Sequence, residues 1–206
     1  MKVDYFVVGP VDVNCYVIYD DNRIGAVIDP GGDPERILAH IRKENLDIRF
    51  VLNTHGHGDH MGADDAIRDA TGAPLYIHEA DAGMLADPRE NLSAFMGYHA
   101  VARPADKLLH GGETITFGDI TLKVVCTPGH SPGGVCFIGD GIVFSGDALF
   151  AESIGRTDFP GGSLQELVTS IKKELFTLPD ETEVYPGHGP KTTIGWEKMY
   201  NPYMQW

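Results

Sequence analysis

Chemistry is concentrated in one short stretch, Asn53-Thr54-His55-Gly56-His57-Gly58-Asp59-His60, which carries three imidazoles and one carboxylate. His55 and His57, two apart on an extended segment, present two imidazoles to one cation, and the glycines between them let the backbone coil tightly. Asp59 and His60 point to a second position. Four ligands from so few residues crowd a single ion, because a catalytic zinc takes about three protein ligands and keeps a place for water. The spacing therefore predicts two divalent metals. Zinc is the first expectation, with iron or manganese possible, since His and carboxylate donors suit all three.

Three later segments supply the same donors: Thr127-Pro128-Gly129-His130-Ser131-Pro132, Ser145-Gly146-Asp147 and Tyr185-Pro186-Gly187-His188-Gly189-Pro190. In each, an apolar run ends in a Gly or Pro turn that delivers one His or Asp, as expected of ligands gathered at one rim of a sheet. His40, His78, His99 and His110 stand alone in the chain and read as ordinary satisfied histidines.

The elements that must position these groups are short. Runs rich in Val, Ile, Tyr and Phe predict strands over 4–8, 15–19, 25–28, 49–52, 75–77, 121–126, 135–138, 142–144 and 183–185. A helix is predicted over 163–176, with Leu164, Leu167, Val168, Ile171 and Leu175 on one face and a capping box formed by Ser163 and Glu166. A second runs over 33–44 with Asp33 as N-cap and Pro34 at the first helical position, burying Ile37, Leu38 and Ile41. A third follows Met61 with Ala63, Ala66, Ile67 and Ala70 inward. Helix, strand, then histidine occurs twice, ending at His55 and His188, which hints at an internally duplicated α/β/α architecture. Residues 83–112 hold Pro88 and Pro104 with little periodicity and read as a long connection, either a lid or a surface insertion.

The chain has 206 residues, 42% of them hydrophobic and 22% charged, enough for one substantial core. A net charge of −14 repels phosphate backbones and anionic bilayers, so neither nucleic acid nor membrane is expected as a partner. Cys15, Cys126 and Cys136 are too few for a disulfide framework and read as reduced thiols. The N-terminus lacks a signal-peptide pattern and no apolar run is long enough to span a bilayer, which places the protein in the cytoplasm as a monomer or homodimer.

The ligand motifs, taken in order over the whole chain, resemble those of the metallo-β-lactamase superfamily. The resemblance implies a single domain over residues 1–206, an αββα sandwich of two facing mixed sheets flanked by helices, with a dinuclear site at one edge. It assigns His55, His57 and His130 to the first metal and Asp59, His60 and His188 to the second, with Asp147 bridging them.

True β-lactamases of this fold lack the bridging Asp in the Ser-Gly-Asp setting, so Asp147 argues against that activity. The segments Gly146-Asp147-Ala148-Leu149-Phe150 and Gly155-Arg156-Thr157-Asp158-Phe159-Pro160 are similar to the glyoxalase II branch, in its compact prokaryotic form. Ile154 stands where that branch generally has Cys. Eighteen residues follow His188, too few for the helical glutathione-binding domain of the longer relatives, so looser substrate recognition is expected. The implied reaction is hydrolysis of a small-molecule thioester such as S-D-lactoylglutathione by a metal-bound hydroxide, whose water precursor falls from a pKa of 15.7 to roughly 7 on a divalent cation. Asp59 is the candidate catalytic residue, orienting that hydroxide, or else a plain ligand.

Competing expectations are an iron-dependent persulfide dioxygenase, and a metal-binding module of the same fold with another hydrolase substrate or none. Thr157 and Asp158 are candidates to anchor their loop or to hydrogen-bond a ligand histidine. Arg156, Tyr185 and Lys191 are candidates for holding substrate carboxylates, although Arg156 has Asp158 as an alternative partner. The aromatic tail Trp196–Trp206 has three possible places: over the sandwich, at the site mouth, or in a dimer contact.

Overall fold

The computed structural model describes residues 1–205; Trp206, the end of the aromatic tail, lies outside the described residues. The first sheet contains β1 (Lys2–Val8), β2 (Val13–Tyr19), β3 (Ile24–Ile28), β4 (Asp47–Leu52), β5 (Leu75–His78) and β6 (Lys107–Leu109), side by side in chain order. It is antiparallel from β1 to β3 and parallel from β3 to β6. Then come β7 (Thr114–Phe117), β8 (Ile120–Cys126), β9 (Val135–Gly139), β10 (Ile142–Gly146), the small hairpin β11 (Leu149–Phe150) and β12 (Ser153–Ile154), and finally β13 (Glu183–Pro186) and β14 (Thr192–Thr193). The second sheet has the order β14-β13-β10-β9-β8-β7, with β10 and β13 parallel. Helices α1 (Pro34–Glu44), α2 (Gly58–Met61) and α3 (Asp64–Thr71) belong to the first half, and α4 (Leu164–Ser170) and α5 (Ile194–Tyr200) to the second. None of the helices among the described residues is long and apolar enough to cross a membrane.

Period-two alternation in β2 explains the layering. Tyr16 and Ile18 face a core shared with Leu122, Val124, Phe137 and Phe144 of the second sheet, while Val13, Cys15 and Val17 face Ile37, Ile41 and Ile67 of α1 and α3. On the far side of the second sheet, Val125, Cys136, Val143 and Val184 pack against Leu167, Ile171, Leu175 and Ile194. The result is the expected αββα sandwich of two mixed sheets between helices.

Local differences from the sequence reading have physical causes. Asp33 occupies the N-cap position with Pro34 opening α1, but its side chain does not cap the helix: at φ 48° it sits in a left-handed turn that swings its carboxylate onto the Gly9 N–H, 3.1 Å away. Along α3, Ala70 is exposed and Ala66 only half-buried, while Asp64 is fully buried and hydrogen-bonded to Asn53. Ser163 caps α4 as expected, its Oγ accepting the Glu166 N–H at 3.3 Å. That helix then widens into π-type turns over Ile171–Leu175, which keep Ile171 and Leu175 against the sheet. The 83–112 connection contains β6, an edge strand recognisable only through its pairing with β5. Ile194, just before the tail, and Met204 within it pack beneath the second sheet, and the Trp196 and Tyr200 rings meet tilted, their centres 4.4 Å apart.

Candidate metal centre

All seven predicted ligand residues meet at one edge of the sandwich, where β4, β8, β10 and β13 end. The chain leaves β4 through Asn53 and Thr54 into His55 and His57, and α2 then turns Asp59 and His60 back toward them. His130, Asp147 and His188 arrive on the turns after β8, β10 and β13. The two sheets are stitched together here: the Val135 N–H donates to the Thr54 carbonyl at 2.8 Å, and the Asn14 N–H to the Gly187 carbonyl at 2.7 Å. Asn14 Nδ2 reaches the Pro186 and Gly189 carbonyls at 3.0 and 2.9 Å, and the Tyr16 hydroxyl the Pro186 carbonyl at 2.6 Å.

Within the cluster, donor atoms gather as His55–His57–His130, His55–His60–Asp147 and Asp59–His60–His188, each with its ligating atoms within 4.8 Å of one another. Every group mixes residues from the first-sheet half (55–60) with residues from the second-sheet half (130, 147, 188). Asp147 lies between them, Oδ1 3.3 Å from His60 Nε2 and Oδ2 3.4 Å from His130 Nε2 and 3.7 Å from His188 Nε2. Three buried atoms of the cluster, His55 Nε2, His60 Nε2 and Asp147 Oδ1, have no hydrogen-bond partner. Buried polar atoms are nearly always paired, so lone pairs orphaned here and turned toward one another fit metal cations.

Electrostatics favour the same conclusion. Burial, followed by neighbouring imidazoles, pushes His55 well below the usual histidine range and His57 down to about 3, so both are neutral donors at physiological pH. Burial alone would raise the Asp59 and Asp147 carboxyls, but His60 and the other histidines beside them hold both below the usual range. His60 shows the reverse: burial works against its charge, and Asp59, Asp147 and Asp29 together raise it well above normal. His188 is also raised, its burial outweighed by Asp59 and Asp147.

Metal uptake at pH 7 is therefore expected to release at least about one proton, chiefly from His60, and apparent affinity is expected to rise with pH as the raised histidines deprotonate. Titration calorimetry in buffers of different ionisation enthalpy measures this directly; uptake without proton release would contradict it.

The close approach of Asp147 and His60 depends on Gly187. A methyl group there would collide with Asp147 Oδ1 and come within 2.7 Å of His60 Cε1. Gly187→Ala is expected to cost about 1–3 kcal/mol by overpacking and to lower metal content at equal protein concentration, read by thermal unfolding and elemental analysis.

Comparison with known proteins agrees with this arrangement. Residues 8–188 match the metallo-beta-lactamase superfamily. The chain belongs to that superfamily. Among metallo-beta-lactamase relatives, the probable metallo-hydrolase YqgX of Bacillus subtilis is 40% identical over 207 residues, covering 99% of this chain and 98% of its own. Hydroxyacylglutathione hydrolase GloC of Haemophilus influenzae is 35% identical, with coverage of 99% and 98%. Of solved structures, the BLEG-1 B3 metallo-beta-lactamase superposes with a TM-score of 0.95 at 41% identity, covering 100% of both chains. TTHA1623 in a di-iron-bound form superposes at 0.85 with 38% identity, covering 98% of this chain and 100% of its own.

Around this metallo-beta-lactamase centre, several polar residues went unremarked in the sequence. Asp29, buried and at φ 51°, accepts the Thr54 N–H and hydroxyl, each at 2.7 Å, and its Oδ2 lies 3.0 Å from His60 Nδ1. Asp81 accepts the Gly56 N–H, the Ser131 hydroxyl and the Gly133 N–H at 3.0, 2.7 and 2.6 Å, clipping the His55–His57 loop to the His130 loop. The available signal for Asp29 was its place directly after an apolar strand, as with the ligands themselves.

Of the Gly-Arg-Thr-Asp-Phe segment, it is the backbone carbonyl of Arg156, 2.8 Å from His130 Nδ1, that orients a ligand. Asp158 instead pairs with the Arg156 side chain. Arg156 lines the cavity over the centre; Tyr185 and Lys191 do not, since Tyr185 packs on Tyr16 and Phe144, and both bond Glu183.

Proposed function

We propose that this chain is a metal-dependent hydrolase that cleaves thioesters, with S-D-lactoylglutathione or a similar acyl thiol as substrate. The observation carrying this reading is the set of ligand groups joined by Asp147 at the floor of an open cavity. The likeness to a hydroxyacylglutathione hydrolase supports the thioester substrate. His55, His57 and His130 would hold one cation and Asp59, His60 and His188 a second, with Asp147 between them. When bound, a divalent pair polarises the scissile carbonyl and lowers the pKa of water.

The chain's own residues do the rest. His55 and His57 stay unprotonated, and Asp29 fixes the ring of His60 from behind. Asp59, ionised at the cavity floor, orients the attacking water through its carboxylate. No acid need face the departing sulfur, because a thiolate leaves without being protonated first. Persulfide dioxygenases share this ligand motif but use one iron, so metal counting decides: two metals per chain and no oxygen uptake on glutathione persulfide exclude that alternative, and one iron with oxygen uptake favours it.

Purified, metal-loaded protein is expected to hydrolyse S-D-lactoylglutathione well above a His57→Ala control; turnover no higher than the control overturns the substrate assignment. Asp147 argues against β-lactam ring opening, but the 41% identical B3 metallo-beta-lactamase keeps it as the second reading, and a chromogenic cephalosporin in the same assay separates the two.

A further inference from the structure

The cavity above the ligands has a volume of about 670 Å³, room for a small molecule extending on both sides of a carbonyl. Its floor is polar, formed by His57, Asp59, Asp147 and His188, but its walls are Val11, Leu92, Phe95, Met96, Phe159 and Pro160. Arg156 is the basic side chain at the wall among the described residues. Its Nε and Nη2 donate to the two oxygens of Asp158 at 2.9 and 2.8 Å, and its guanidinium lies 4.5 Å from the centre of the Phe159 ring. A cation already closed on its own carboxylate leaves little field for a substrate anion. Lys191, the other expected cation, is turned to Glu183 and Tyr185 outside the cavity.

Phe95 is 78% exposed and belongs to none of the three core clusters. Yet the turn that carries it is pinned. The Asn91 carbonyl accepts the N–H of Gly58, between His57 and Asp59, at 2.8 Å. Asn91 Nδ2 donates to the Met84 and Ala100 carbonyls, each at 2.9 Å. Left-handed residues at Leu92 (φ 66°) and Gly97 (φ 85°) bracket the single turn Ser93–Met96. A large ring held in water beside a polar floor, by a turn tied to the ligand loop itself, buries little against the fold and is open to a molecule in the cavity.

We propose that the group flanking the scissile carbonyl is an uncharged, apolar aliphatic or aryl acyl chain that lies against Phe95 and Met96, and that these two residues set its preferred length. The proposal rests on the thioesterase reading and shifts its preferred substrate from D-lactoyl to longer apolar acyl groups: the acyl side, rather than a thiol arm bearing two carboxylates, supplies the specificity.

The test uses zinc-loaded protein and thioesters of one neutral thiol, N-acetylcysteamine, bearing acetyl, butanoyl, hexanoyl, phenylacetyl or D-lactoyl groups, alongside the same acyl groups on glutathione. We expect kcat/KM to rise about fourfold per methylene, about 250-fold over the four methylenes from acetyl to hexanoyl, with little gain from glutathione. Phe95→Ala flattens the slope and Phe95→Leu restores it. A flat series, or a glutathione thioester preferred more than about tenfold over its N-acetylcysteamine counterpart, overturns the proposal. Calorimetric binding of hexanoate and D-lactate, the product acids, separates it from the parent reading. Tighter hexanoate binding with a negative heat-capacity change, lost in Phe95→Ala, upholds the pocket assignment even if no thioester is cleaved, whereas equal binding of the two acids refutes it.

Discussion

Replacing Asp147 with alanine is expected to leave the protein with about half its metal and to lower hydrolysis by roughly 10²–10³-fold, the range seen when one preorganised charge-stabilising group is removed. The reason is its position. Asp147 approaches His60, His130 and His188 at 3.3, 3.4 and 3.7 Å, so its single carboxylate ties together groups that otherwise meet only through shared imidazoles. Removing it also leaves cations at either end with less opposing charge and so weakens each of them. Asp147→Asn keeps the volume and removes the charge, and is expected to lose nearly as much metal with less loss of folding stability. Elemental analysis of the dialysed proteins beside kcat on a common thioester decides the matter; full metal content in the alanine variant would show that Asp147 does not join the two groups.

The second large effect is expected at a residue that contacts no substrate. Asp29→Ala strands the Thr54 N–H and His60 Nδ1, both buried, and leaves the Thr54 hydroxyl only His55 Nδ1, 3.1 Å away, as a partner. Each stranded buried donor costs about 1–3 kcal/mol, so a total of roughly 3–5 kcal/mol is expected after local relaxation, or about 10 °C in Tm for a chain of this size. Metal affinity is expected to fall about 10–100-fold, because the ring of His60 loses the group that fixes its orientation. Thermal unfolding without metal isolates the first effect, and competition with a chromophoric chelator measures the second. A variant with normal affinity would mean that His60 is oriented by packing alone.

The cluster was legible because donors that could share a cation leave a mark on sequence: His55, His57, Asp59 and His60 lie close together in the chain, and that compression makes a pattern. The long strands were legible for a related reason, since β2 is buried on both faces and reads as one apolar run. What escaped was written in tertiary contacts. Asp29, Asp81 and Asn14 are isolated polar residues whose partners lie 25 or more positions away, as Asp29 to Thr54 and Asn14 to Pro186 show. Strands such as β6 and β12 are two or three residues long and exist through their neighbours rather than through their own propensity. Asp33 misled for the same reason: a residue of good capping type was taken over by Gly9, distant in sequence.

Among the described residues, no candidate ligand group can be completed by either half of the chain alone. His55 and His57 need His130, His55 and His60 need Asp147, and Asp59 and His60 need His188. During synthesis, then, the first four donors leave the ribosome long before their counterparts exist, and the last arrives only with residue 188. Full metal capture is thus a late event that follows docking of the two sheets. Occupancy reports on completed assembly, and an ion held early by the 55–60 segment alone would be bound loosely enough to exchange before the partner histidines close over it.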